Sequence, residues 1–139
     1  MTRYILLTIL AFTIFSPAKA QKSDTLKGLR TDTLIFTKVE YVPEFAGGVN
    51  GFNKFLYKNL KWPDKSGMID VQGKVFVIFV VEKDGTLSNI HVIKSLYPEF
   101  DAEAIRVMRL SPKWKPGIQN GRIVRVYYTT PIPFRLTEK

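Results

Sequence analysis

Residues 75–81 form an unbroken run of Val, Phe and Ile, closed by Glu82 and followed at once by Lys83-Asp84-Gly85. β-branched and aromatic residues pack well on a pleated surface and lose rotamer freedom in a helix, so residues 71–82 are expected to form a strand. Val75, Val77, Phe79 and Val81 then share one face, and Phe76, Ile78 and Val80 share the other. A strand apolar on both faces is central and covered on both sides, or it lies in a subunit contact. Asp-Gly between apolar runs signals a hairpin, so residues 86–94 return as a second strand. Simple alternation puts Ile90 and Val92 on one face of it, and Leu87, Asn89, His91 and Ile93 on the other.

The flanking segments read as helices. In residues 51–60, Phe52, Phe55, Leu56 and Leu60 make one apolar stripe, with Asn50 as N-cap and Trp62-Pro63 as the stop. A second helix follows residues 97–100, capped by Asp101 and ended by Pro112. Ala104, Ile105 and Met108 line its inner face, Val107 lies at the margin, and Arg106 and Arg109 favour its negative C-terminal end. Residues 112–117 read as a rigid loop and Asn120-Gly121 as a turn; residues 122–130 read as a third strand. Pro131 and Pro133 cannot donate to a ladder, which puts the end of that strand at a sheet edge. The expected fold class is α+β: a three-stranded antiparallel sheet with two helices packed on it.

The N-terminus addresses the compartment. Arg3 precedes an apolar stretch at residues 4–15, Ser16-Pro17 breaks it, and Ala18-Lys19-Ala20 is a small-x-small site, so residues 1–20 read as a secretory signal with Gln21 first in the mature chain. The rival reading is a short uncleaved anchor. As a helix the stretch spans roughly 18 Å against a hydrocarbon core of roughly 30 Å, which favours cleavage. Residues 21–40 are polar and without sustained period, a flexible lead-in with a short strand at residues 33–39. The globular domain is expected over residues 41–137.

The chain is strongly basic, with a formal charge of +9. Removing residues 1–20 takes away only Arg3 and Lys19, so the mature form stays basic. Export argues against nucleic acid as the partner; headgroups, lipopolysaccharide and acidic protein patches are the polyanions outside the cytoplasm. The chain has no cysteine, which excludes disulfides, thiolate zinc sites and a cysteine nucleophile.

No residue set supports catalysis, metal binding or a cofactor. His91 is the single histidine, on a strand and without a second imidazole to share a metal. Asp101 and Glu103 are two apart on a helix and do not face each other; capping and dipole complementarity explain them. Gly47-Gly48 lacks the Lys-Ser/Thr of a phosphate loop. Lys113-Trp114-Lys115, with Arg122 and Arg125 nearby, reads either as a contact for an acidic receptor segment or anionic glycan or as a core-plugging Trp between solvated lysines; the large area a Trp buries favours the second, and Arg125 is the better contact for a partner.

The element order, with particular residues in it, resembles the C-terminal domain of TonB. The matching features are Trp62-Pro63, Gly73-Lys74-Val75 with Val77-x-Phe79-x-Val81, Asp84-Gly85, Asn89-Ile90-x-Val92, Asp101-x-Glu103-Ala104-x-Arg106, Trp114-Lys115-Pro116-Gly117, Gly121 and Pro131-x-Pro133-Phe134. Pro43-Glu44-Phe45-x-Gly47-Gly48 is similar to the lead-in of one large subgroup. The resemblance implies a periplasmic domain that takes a TonB-box peptide of an outer-membrane receptor as an added strand beside its last strand. It also implies a part in proton-driven uptake of siderophore, cobalamin or glycan cargo. With the doubly apolar strand central, the strand order is 2-1-3 and the third strand keeps a free edge. Arg122, Ile123, Val124, Arg125, Val126, Tyr127 and Tyr128 would offer that edge to the peptide.

The family's long transmembrane helix and Pro-rich spacer have no counterpart in residues 1–40. Three functional readings follow. One is a periplasmic module that binds TonB-dependent receptors. Another is an anchored energy transducer on the periplasmic side of the inner membrane, coupled to proton-motor proteins. The third is an envelope scaffold that binds glycan or forms a homodimer through its open edge. The mass of the native N-terminus separates the first two: a soluble form starting at Gln21 is expected, whereas an intact Met1 form in the inner membrane would make the chain a transducer.

Overall fold

The computed structural model describes residues 33–63 and 71–135. The expected secretory signal at residues 1–20 and most of the expected lead-in at residues 21–40 lie outside the described residues. In chain order the elements are β1 (Ile35–Phe36), α1 (Gly48–Asn59), β2 (Gly73–Val81), β3 (Leu87–Lys94), α2 (Pro98–Arg109), β4 (Gly117–Gln119) and β5 (Arg122–Phe134).

β2 is the centre of the sheet. It pairs antiparallel with β3 on one side and with β5 on the other, from Gly73↔Phe134 to Val81↔Val126. The three expected strands therefore stand in the expected 2-1-3 order, but the sheet is larger and mixed. The order is β1-β5-β2-β3, with β4 paired to β5. β1 runs parallel to β5 and falls within the segment expected to carry a short strand. β4 falls where a rigid loop and turn are expected, and three residues are too few to show a period.

Val75, Val77, Phe79 and Val81 are fully buried on the face that meets Phe52 and Leu56 of α1 and Phe100, Ala104, Val107 and Met108 of α2. Both helices pack on that one face. On the opposite face Val80 is buried, while Phe76 and Ile78 are half-buried. Val107 is thus a core residue and Ile105 the marginal one, the reverse of the expected assignment. Leu87 also changes sides. The ladder slips by one residue between Ile78/Val80, at Asn89, whose φ is 50°. This bulge puts Leu87 on the core face with Ile90 and Val92.

Both helix starts differ from expectation. α1 begins at Gly48 behind Gly47 in the left-handed region (φ 87°), so Asn50 lies inside the helix. α2 begins at Pro98, whose missing N–H costs nothing at a helix start. Asp101 is in the first turn, where its carboxylate accepts from the Leu96 N–H at 3.1 Å and from the Ser95 hydroxyl.

Trp114 is 5 % exposed and joins the layers. Its ring meets Phe79 of β2 at 5.2 Å, Tyr128 of β5 at 5.4 Å, Phe45 at 5.5 Å and Phe52 of α1 at 5.8 Å. Its indole N–H donates to Ser111 Oγ at 2.8 Å, which satisfies its one polar atom. Gly85 fixes the Trp114 backbone, whose N–H donates to the Gly85 carbonyl at 2.9 Å. A Cβ on Gly85 would lie 2.1 Å from the Trp114 carbonyl oxygen, and its φ of +84° is left-handed.

A polar latch joins α2 to the end of α1. Glu103 accepts from Arg106 Nε at 2.7 Å and Nη2 at 2.6 Å and from the Lys61 N–H at 2.6 Å, while Arg106 Nη2 also donates to the Asn59 carbonyl at 2.7 Å. Burial pushes the Glu103 carboxyl up, but the bonds from Arg106 and Lys61 together hold it below its ordinary 4.5.

Two outcomes test this packing. Gly85→Ala should destabilise the domain by at least about 2 kcal/mol in urea unfolding, from the left-handed backbone and the clash with Trp114. Glu103→Gln should cost about 1–2 kcal/mol at pH 7. A carboxyl whose folded pKa is lowered contributes stability above its unfolded pKa and loses it as pH falls through the folded value. Wild type should therefore weaken below about pH 4.5, and the gap between wild type and Glu103→Gln should close there.

Candidate functional site

β5 is long, and its two sides are unequally used. At its start, Arg122, Ile123 and Val124 pair with Gln119, Ile118 and Gly117 of β4. Arg125 and Val126 pair with Ile35 and Phe36 of β1. From Val126 to Phe134 the strand pairs with β2. Beyond Phe36, from Tyr127 to Phe134, no strand of the described residues lies on the side of β5 away from β2.

Of the seven residues expected to offer an edge, Arg122, Ile123 and Val124 pair with β4, and Arg125 and Val126 pair with β1. Val126, 3 % exposed and paired on both sides, is a core position. Tyr127 and Tyr128 open the free stretch, which continues through Thr129 and Thr130 into the two prolines. Pro131 and Pro133 have the same parity as Tyr127 and Thr129. A sheet tolerates proline where the missing N–H faces away from its neighbour, so that parity turns its main-chain groups to the open side. There Tyr127 and Thr129 can supply N–H groups, while carbonyls continue along the prolines.

Arg125 is not available as a free cation. Its Nε donates to Glu82 Oε2 at 2.7 Å and Nη2 to Oε1 at 3.0 Å, while Nη1 donates to the Thr33 carbonyl at 3.4 Å. The hydrogen bonds from Arg125 hold the Glu82 carboxyl below its ordinary value against the opposing effect of burial, with help from the Ser88 hydroxyl. The fork ties the head of β5 to the end of β2.

The open edge runs along a groove of about 1010 Å³. One wall is α1, through Val49, Phe52, Leu56 and Tyr57; the other is β5, through Tyr128, Thr130 and Phe134. Trp114, in contact with both Phe52 and Tyr128, forms the floor. Lys61, Lys74 and Arg135 supply cationic groups in the lining. Val49 is 77 % exposed and Tyr57 84 %, so the α1 rim is apolar and open to water. The helical stripe at Phe52 and Leu56 reads as core in the sequence, and Trp114 reads as a plug. The signal for a wall is Val49 and Tyr57, eight apart on one flank of that stripe, which widen the apolar arc beyond what the core uses.

The remaining polar candidates sit elsewhere. His91 is exposed on β3, with Nδ1 3.0 Å from the Asn89 carbonyl. Among the described residues no group of three His, Cys, Asp or Glu is placed to hold a metal ion. Lys113 and Lys115 are exposed, and Lys115 lies 3.9 Å from Glu44.

The family model described as Gram-negative bacterial TonB protein C-terminal matches residues 58–136. The solution structure of the Helicobacter pylori TonB C-terminal domain, residues 194–285, is similar at 20 % identity and a TM-score of 0.49, over 66 % of this chain and 96 % of that one. The Pseudomonas aeruginosa TonB C-terminal domain is similar at 25 % identity and a TM-score of 0.42, over 58 % of this chain and 84 % of that one. No curated protein matches the chain. The family model covers more than half of the sequence, and with it the chain belongs to the TonB C-terminal domain family, which is not a family of enzymes.

Proposed function

We propose that this domain binds a short extended segment of an outer-membrane receptor by strand addition to the open side of β5, over Tyr127 to Phe134. Membership of the family implies a role in TonB-dependent outer-membrane transport in the periplasm. One observation carries the finer reading. The unpaired side of β5 lies along a preformed apolar groove, so an added strand gains main-chain bonds and side-chain burial together. Alternate side chains of such a strand point at α1, against Val49, Leu56 and Tyr57. Lys61, Lys74 and Arg135 favour an acidic group on the same segment.

The other outer edge, that of β3, is a poor rival. It is interrupted by register shifts between Phe76/Val77 and between Ile78/Val80, and bulges twist an edge away from further pairing. The binding site is independent of residues 1–20. A cleaved leader makes the chain a free receptor-binding module; a retained one makes it a transducer with the same site. An envelope-scaffold role would use the same edge for glycan or for a second copy, and binding of receptor peptides separates peptide capture from these.

Thr129→Pro is the test. Thr129 is exposed and of the parity already occupied by two prolines, so the exchange should spare the pairing with β2 while removing an N–H from the open side. Affinity for synthetic peptides from the N-terminal segments of TonB-dependent receptors should fall at least about tenfold, the equivalent of one main-chain bond. Unchanged affinity in a folded Thr129→Pro protein would sink strand addition at β5.

A further inference from the structure

The head of the open edge is already occupied by this chain. β1 is a strand added to β5 from outside the helix–hairpin–helix unit, and its partners Arg125 and Val126 directly precede the free stretch. Its main-chain groups face the same side of β5 that Tyr127 and Thr129 present. After Phe36 the chain leaves the sheet and returns at Tyr41, whose N–H and carbonyl bond Ile118 at 3.1 and 2.9 Å. An incoming strand that pairs along the whole of β5 therefore meets Ile35 and Phe36 on its own path.

The hold of β1 is slight. Only two residue pairs form the ladder, and parallel pairing is the weaker kind per residue. Leu34 is 54 % exposed, and Ile35 and Phe36 are only half-buried. Yet the short link through Thr37, Lys38, Val39 and Glu40 to the fixed Tyr41 keeps the segment close to its site, at an effective concentration on the order of mM. Weak pairing on a short tether favours exchange between a bound and a released strand.

We propose that the segment Leu34-Ile35-Phe36 is a built-in competitor for the β5 edge, a stand-in for the receptor peptide that must be released before the full edge can be paired. This rests on the strand-addition reading above and adds regulation to the same site. Any event that draws residues 33–36 away from β5 then raises affinity for the partner without touching the groove. The apparent affinity is the intrinsic one reduced by the fraction of molecules with β1 released.

The test uses the full chain and, as probe, a synthetic peptide of residues 31–38 of this sequence. The Ile35→Pro/Phe36→Pro variant cannot form the cis ladder and should bind the probe about tenfold more tightly than wild type, as a released fraction of about one tenth requires. A second variant removes any doubt from folding: Ile35→Cys/Arg125→Cys joins two paired positions in a chain that has no other cysteine. Oxidised, it should not bind the probe; reduced, it should bind again. Equal affinity of wild type and the double-proline variant, no binding by either, or binding by the oxidised Cys variant would each overturn the proposal. Receptor peptides titrated into wild type and Thr129→Pro decide the strand-addition reading separately, since their binding at β5 can stand with β1 inert.

Discussion

Everything in this domain hangs on the antiparallel pairing of β2 with β5. The ladder runs without a slip from Gly73↔Phe134 to Val81↔Val126, and it links the most apolar strand of the chain to the one nearest its end. Because the side-chain period of a strand is two, this register sends Val75, Val77, Phe79 and Val81 to the helices together with Ile132 and Phe134. It also decides what is left over. β5 pairs with β2 on one side, and on its other side the described residues form a strand only at the head.

Trp114 makes that register specific. Its indole touches β2, β5 and α1 at once, and the Asp84-Gly85 turn clamps its backbone from the far end of the hairpin. The hairpin turn, the β2–β5 ladder and the groove floor are therefore one mechanical unit. A shift of one residue in β5 would move Tyr128 off Trp114 and close or open the groove.

Elements with a long period were legible in the sequence. β2 stood out by its Val/Phe/Ile run, the hairpin by Asp84-Gly85, the core face of α1 by Phe52 and Leu56, and the buried role of Trp114 by the large area a Trp side chain buries. What was not legible depends on few residues or on distant ones. β1 and β4 are two and three residues long, below any detectable period. The pairing of Ile35 with Arg125 joins positions far apart in the chain, and no local pattern encodes it. The bulge at Asn89 reversed the side assigned to Leu87, because an Asn that enters the left-handed region looks in sequence like any exposed polar residue. Of the residues expected to offer the edge, Arg122 to Val126 pair with β4 and β1 over separations that no local pattern encodes, and Arg125, expected to meet a partner, is held by Glu82.

An unpaired strand is a hazard as well as a site, and the domain limits its own with two prolines at the tail and β1 at the head. Between them lies a short window in which a partner can pair. The most direct measurement is the pattern of intermolecular NOEs between an isotope-labelled domain and a receptor N-terminal peptide. Strand addition at β5 gives cross-strand contacts to the backbone of Tyr127 and Thr129, with peptide side chains touching Leu56 and Tyr57 of α1. Contacts confined to the outer edge of β3, or to the face that carries Phe76 and Ile78, would contradict it.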